Sequence, residues 1–185
     1  MVFKMMKIPY YPGCIPHSRT TGLDSPIKAI ASSLEIELIE VPSWVCCGAF
    51  FTANPADMFG SVRTLLNARK IGKELVTTCA LCYNVLKQTN YVMIKDVEKR
   101  NQINEFLGEE YKGEVRVLHF LELLRDKIGF EKMREHMKIS LEGLNIAPYY
   151  GCLLLRPYEQ IKLDDPEHPT IFDDFLTSLD CESVD

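Results

Sequence analysis

The placement of cysteines constrains this chain most. Cys14 stands alone, Cys46 and Cys47 are adjacent and followed by Gly48, Cys79 and Cys82 form a Cys-x-x-Cys, and Cys152 and Cys181 come later. Seven cysteines in 185 residues are many for a chain whose start, Met1 to Lys7, carries lysines without the apolar stretch of a signal peptide. The reading is therefore cytoplasmic, and a reducing compartment does not maintain structural disulfides. The odd count also leaves one thiol over in any fully paired scheme. Metal binding or redox chemistry follows as the better expectation.

Cys46 and Cys47 could join only as a strained vicinal disulfide, and their side chains diverge in extended backbone, so they suit two separate metal atoms. Gly48 lets the backbone turn tightly beside an inorganic core. The thiolates of Cys14, Cys46, Cys47, Cys79 and Cys82 exceed the four of a tetrahedral zinc or cubane site, so an enlarged or irregular cluster would use the extra one. Alone, Cys79 and Cys82 also fit a thioredoxin-like dithiol with a thiol activated at a helix N-terminus. A c-type haem site is excluded because Tyr83 rather than His follows. Iron-sulfur is the first reading, zinc the second, and thiol redox chemistry or unligated buried cysteine shares the rest.

Periodicity places these cysteines. Lys7 to Tyr11, Glu37 to Val41, Glu74 to Thr78 and Val115 to Leu118 read as strands. Ser25-Pro26 opens a helix over Ile27 to Leu34, and Asn54-Pro55 caps another that runs to about Gly72. Tyr83 to Gly108 has helical spacing, continuous or broken, followed by helices at His119 to Ile128 and Glu131 to Met137. Alternation of this kind predicts an α/β fold with a parallel, Rossmann-like sheet, whose functional groups gather at the carboxyl ends of strands. Each of the first three cysteine groups follows such an end. Ile8-Pro9-Tyr10-Tyr11-Pro12-Gly13-Cys14 returns as Ile146-Ala147-Pro148-Tyr149-Tyr150-Gly151-Cys152, and Ser33 to Glu37 returns as Ser178 to Glu182. The expectation is a first domain over 1-142 and the start of a second, similar repeat over 143-185. Cys181 aligns with Ile36 and reads as a buried apolar substitute.

Net charge is −5 without a basic block, which argues against nucleic acid, and no apolar run approaches a membrane span. With 46% apolar and 25% charged residues, the chain can bury a real core. His17, close after Cys14, is a weak candidate proton donor. Trp44 and Tyr83 flank the cysteine groups as core or rim aromatics. His119, His136 and His168 show no ligand spacing.

The runs Tyr11-Pro12-Gly13-Cys14, Cys46-Cys47-Gly48 and Cys79-Ala80-Leu81-Cys82-Tyr83-Asn84, with Leu86-Lys87, resemble the cysteine-rich CCG domain found in the B subunit of heterodisulfide reductases. The resemblance implies that Cys14, Cys46, Cys47, Cys79 and Cys82 ligate one noncubane [4Fe-4S] cluster, for which zinc could substitute, and that Cys152 is the first ligand of another. The remaining ligands of that second site are missing, so the resemblance implies a chain truncated within the second CCG domain. It further implies reduction of a small-molecule disulfide to two thiols in one-electron steps. In methanogens that disulfide joins coenzyme M and coenzyme B, and the partners are a flavin-containing A subunit and an iron-sulfur C subunit. The same domain recurs in thiol:fumarate reductases, atypical succinate dehydrogenases and lactate or glycolate oxidases, so the alternatives are an electron-transfer subunit of such an enzyme or a structural zinc domain.

Overall fold

The computed structural model describes residues 5–14 and 21–184. It divides into two compact units, Met1–His119 and Phe120–Asp185. In the first, strands β1 (Met6–Tyr11), β2 (Ile36–Glu40), β3 (Glu74–Thr77) and β4 (Arg116–His119) form one sheet in the order β2-β1-β3-β4. All its pairings are parallel. The connections are α1 (Thr21–Ser33), α2 (Pro55–Arg69), α3 (Ala80–Lys95) and α4 (Val97–Leu107). This is the expected Rossmann-like α/β architecture.

Strand β1 is buried from Ile8 to Tyr11, as a parallel strand covered on both faces must be. Its Pro9 sits in an interior strand, where a missing N–H is normally excluded. The register explains the exception. Met6 N–H donates to the Glu35 carbonyl and Val41 N–H to the Tyr10 carbonyl, so the even-numbered residues face β2 and Pro9 faces β3. Pairing with β3 begins only at Tyr10 and Tyr11, opposite Val76 and Thr77. Pro9 therefore leaves no ladder bond unmade.

The helices follow their end signals, with one difference. Asn54 caps α2 by accepting from Ala56 N–H, with Pro55 at the first position. Among the described residues helix α1 already runs from Thr21, ahead of Ser25-Pro26, and carries Pro26 inside it. Asp24 in its first turn is held by the Tyr10 hydroxyl at 2.9 Å, a contact outside any local pattern, and by Lys28 at 2.6 Å, its i,i+4 neighbour. The helical stretch after Cys82 is broken: Asp96 takes an extended conformation, accepts from Lys99 N–H, and starts α4 anew. Gly108, at φ 66°, ends it.

In the second unit, helical turns span Phe120–Leu123, Leu124–Ile128 and Phe130–Arg134. Strands β5 (Asn145–Ile146) and β6 (Glu182–Ser183) then pair in parallel, joined through Cys152–Leu155, Tyr158–Ile161 and Ile171–Ser178. The repeat is preserved in register. Lys7 and Ile8 pair with Glu37 and Leu38; their counterparts Asn145 and Ile146 pair with Glu182 and Ser183. Glu35 and Asp180, aligned before the returning strands, have φ of 59° and 62°. Each donates its N–H three residues back, to Ser32 and Thr177. Cys181 is buried where Ile36 is buried.

Among the described residues, no helix is long and apolar enough to cross a membrane. Leu75, without exposed surface on the strand that leads to Cys79, tests the core directly. Leu75→Ala is expected to cost about 2–5 kcal/mol, seen as a lower urea midpoint at unchanged slope.

Candidate functional site

Parallel strands leave their carboxyl ends on one edge of the sheet, and in an open α/β sheet binding sites form there, where strand order reverses. Here β1 and β3 flank that reversal. Cys14 follows β1, Cys46 and Cys47 follow β2, and Cys79 and Cys82 follow β3.

The loop after β2 is held from two sides. Tyr11, fully buried at the end of β1, donates its hydroxyl to the Val45 carbonyl at 2.8 Å. Its ring meets Trp44 edge-on at 5.3 Å, and Trp44 in turn donates to the Glu40 carboxylate at 2.9 Å. On the other side Val45 N–H donates to the Thr64 hydroxyl of α2. Gly60 permits this close approach, since a Cβ there would lie 2.9 Å from Val45 Cγ2. Beyond the cysteines, Gly48 and Ala49 both have positive φ, 91° and 67°, and Phe50 N–H donates to the Gly48 carbonyl at 2.8 Å. This turn brings the Ala49 amide toward Cys47.

The adjacent cysteines separate as their extended geometry requires. Cys46, exposed, lies with its sulfur 3.7 Å from that of exposed Cys14. Cys47, buried, lies 3.5 Å from buried Cys82. Cys79 caps α3 without closing a side-chain cap bond, and its thiolate is favoured first by the hydrogen bond from Cys82 and then by the Cys82 and Leu81 amides at the helix start. The result is a pKa lowered to about 6. Cys47 is lowered to about 7, chiefly by its bond with Cys82 and against its own burial. Cys82 is pushed far up, because its proton serves both neighbours and the site is desolvated. Desolvation and the bond shared with Cys46 raise Cys14. Burial, and then the charges of Cys82, Cys47, Cys46 and Cys14, keep Tyr11 protonated. The thiols thus form a chain of neighbours graded from solvent to interior. Among the described residues, no group of three or more His, Cys, Asp or Glu side chains is set to hold a metal ion.

The structure also adds a residue that spacing alone leaves aside. His119 ends β4, and its Nε2 lies 3.1 Å from the carbonyl oxygen of Thr78, immediately before Cys79. Its ring packs edge-on against Tyr83 at 5.6 Å, over which Lys87 sits at 5.0 Å. Desolvation lowers the imidazole to about 4, so His119 is neutral at pH 7. Only proximity in space, from the pairing of β4 with β3, reveals this residue. His17 lies outside the described residues. Cys152 opens a short helix in the second unit and is exposed.

Fold and site together define a cysteine-rich α/β domain that collects thiols from three successive strand ends. No family model matches the chain. It is 30% identical, over 98% of its length, to the B subunit of the ferredoxin/F(420)H(2)-dependent CoB-CoM heterodisulfide reductase of Methanosarcina acetivorans, and equally to the B subunit of the ferredoxin:CoB-CoM heterodisulfide reductase of Methanosarcina mazei. It is 29% identical, over 95% of its length, to the 8-methylmenaquinol:fumarate reductase membrane anchor subunit of Wolinella succinogenes. The chain spans 62% of the length of each of these relatives. The resemblance to the heterodisulfide reductase B subunits is borne out along nearly the whole chain, which is a relative of those proteins.

A Cβ on Gly48 would meet nothing within 4 Å, so the demand at this position is on φ and not on space. Gly48→Ala is expected to cost about 1–2 kcal/mol, measured by denaturant unfolding of the metal-free chain.

Proposed function

We propose that this chain is an iron-sulfur subunit of a heterodisulfide reductase-like complex, in which Cys14, Cys46, Cys47, Cys79 and Cys82 hold one noncubane [4Fe-4S] cluster. Residues 1-142 form its first CCG domain, and residues 143-185 start a second, with Cys152 as the first ligand there. The observation that carries this reading is the division of the vicinal pair, Cys46 toward Cys14 and Cys47 toward Cys82. The donor set fits such a group: every donor is a soft sulfur, they come from three strand exits, and they outnumber the ligands of a single tetrahedral ion.

When bound, the cluster supplies single electrons for cleaving a disulfide. The chain's own residues bind, orient and shield it. Cys47 and Cys79 meet the metal as ready thiolates, whereas Cys82 gives up its proton on ligation. Tyr11 and Tyr83, both without exposed surface, keep water from the inner side. Cys14 and Cys46 leave the outer side open to solvent, where a small disulfide can approach. The balanced reaction takes a disulfide, two electrons and two protons to two thiols. In this reading the electrons come from a flavin-containing A subunit through an iron-sulfur C subunit, in the cytoplasm, and the methanogen substrate is the heterodisulfide of coenzymes M and B.

A second reading is favoured by the similarity to the Wolinella fumarate reductase subunit: a CCG domain passing electrons between other subunits, with no disulfide substrate. Anaerobic reconstitution of the full chain separates the two. After chemical reduction, a disulfide is expected to reoxidise the paramagnetic centre; a centre that persists with disulfide but is discharged by a quinone contradicts the reductase reading. Cys47→Ser is expected to remove most bound iron while Cys181→Ser leaves it, and zinc without sulfide in the anaerobic wild type would overturn both iron-sulfur readings.

A further inference from the structure

Two backbone carbonyls stand directly before cysteine groups: Val45 before Cys46 and Cys47, and Thr78 before Cys79. Each is taken by an aromatic side chain from the end of an adjacent strand. Tyr11, ending β1, donates to Val45 at 2.8 Å across toward the β2 loop. His119, ending β4, bonds Thr78 at 3.1 Å across toward the β3 loop. A carbonyl oxygen only accepts, so the imidazole carries its hydrogen on Nε2. The peptide unit is planar and trans, so fixing the carbonyl also fixes the opposed N–H and the direction in which the next Cα leaves. The next Cα belongs to Cys46 in one case and Cys79 in the other.

Both clamps are themselves braced. Tyr11 is buried and held edge-on by Trp44, and His119 rests against buried Tyr83, with Lys87 over that ring. We propose that Tyr11 and His119 are a pair of positioning residues, carbonyl clamps that aim Cys46-Cys47 and Cys79, each from the neighbouring strand, toward a shared site. The inference rests on the reading that these thiols serve one cluster. The strand ends then impose the site's geometry before any metal arrives.

The test is residue-resolved alkylation of the iron-free full chain with iodoacetamide, followed by mass spectrometry. Tyr11→Phe is expected to raise the rates of Cys46 and Cys47 about fivefold, the factor that corresponds to one ordinary hydrogen bond, with Cys79 and Cys181 unchanged. His119→Phe is expected to do the same for Cys79 and spare Cys46, and His119→Gln, which keeps an N–H donor, should restore the wild-type rate. A uniform rise that includes buried Cys181 would mean general loosening, and unchanged rates would mean no clamp; either overturns the proposal. Metal content is scored separately. If the wild type takes up no cluster while the selective pattern appears, the clamps stand and the cluster reading falls.

Discussion

The parallel pairing of β1 with β2 on one side and β3 on the other governs everything else in the first unit. Parallel strands send all their exits to one edge, and the order β2-β1-β3-β4 puts three cysteine loops side by side there. Pro9 fits only because β3 joins the ladder after it, at Tyr10. Buried Tyr11, next along the same strand, reaches the carbonyl that precedes Cys46. The strand that anchors the sheet thus also aims the most diagnostic loop of the chain.

Packing thiols this closely has an electrostatic cost, since burial and mutual repulsion both disfavour thiolates. The structure answers it locally. The start of α3 faces Cys79, the left-handed turn at Gly48 and Ala49 brings an amide toward Cys47, and Cys82 shares its proton between them. Tyr11 stays protonated and so adds no like charge to the site, and neutral His119 adds no charge of either sign. A cationic metal centre relieves the same repulsion far more strongly, which is why an all-thiol constellation of this kind reads as a binding site.

Much of this was legible in the residues. Asn54-Pro55 announces its helix, Gly48 its turn, and the strand-to-cysteine order announces which edge the thiols share. The repeat was legible to the level of register, from Ile8 and Leu38 to Ile146 and Ser183, because matching residues at both ends fix the pairing although the segment between them differs in length. What stayed hidden depends on contacts distant in sequence. The Tyr10 hydroxyl that holds Asp24 in the first turn of α1 comes from another element. His119 has no motif around it and gains meaning only when β4 lies beside β3 and its ring meets the Thr78 carbonyl.

The second unit repeats the first strand-helix-strand passage and places Cys152 at the start of a helix, as a strand-to-cysteine exit should. The central claim nevertheless stands on the first unit: its cysteines bind iron and sulfide as one polynuclear centre. Iron and acid-labile sulfide should be quantified on the full chain reconstituted without oxygen, together with a Mössbauer spectrum. The account predicts iron and sulfide in equal amounts, with iron sites that are inequivalent, as an irregular ligand set requires. A chain that takes up no sulfide, or whose iron sits in a single mononuclear site, would contradict it.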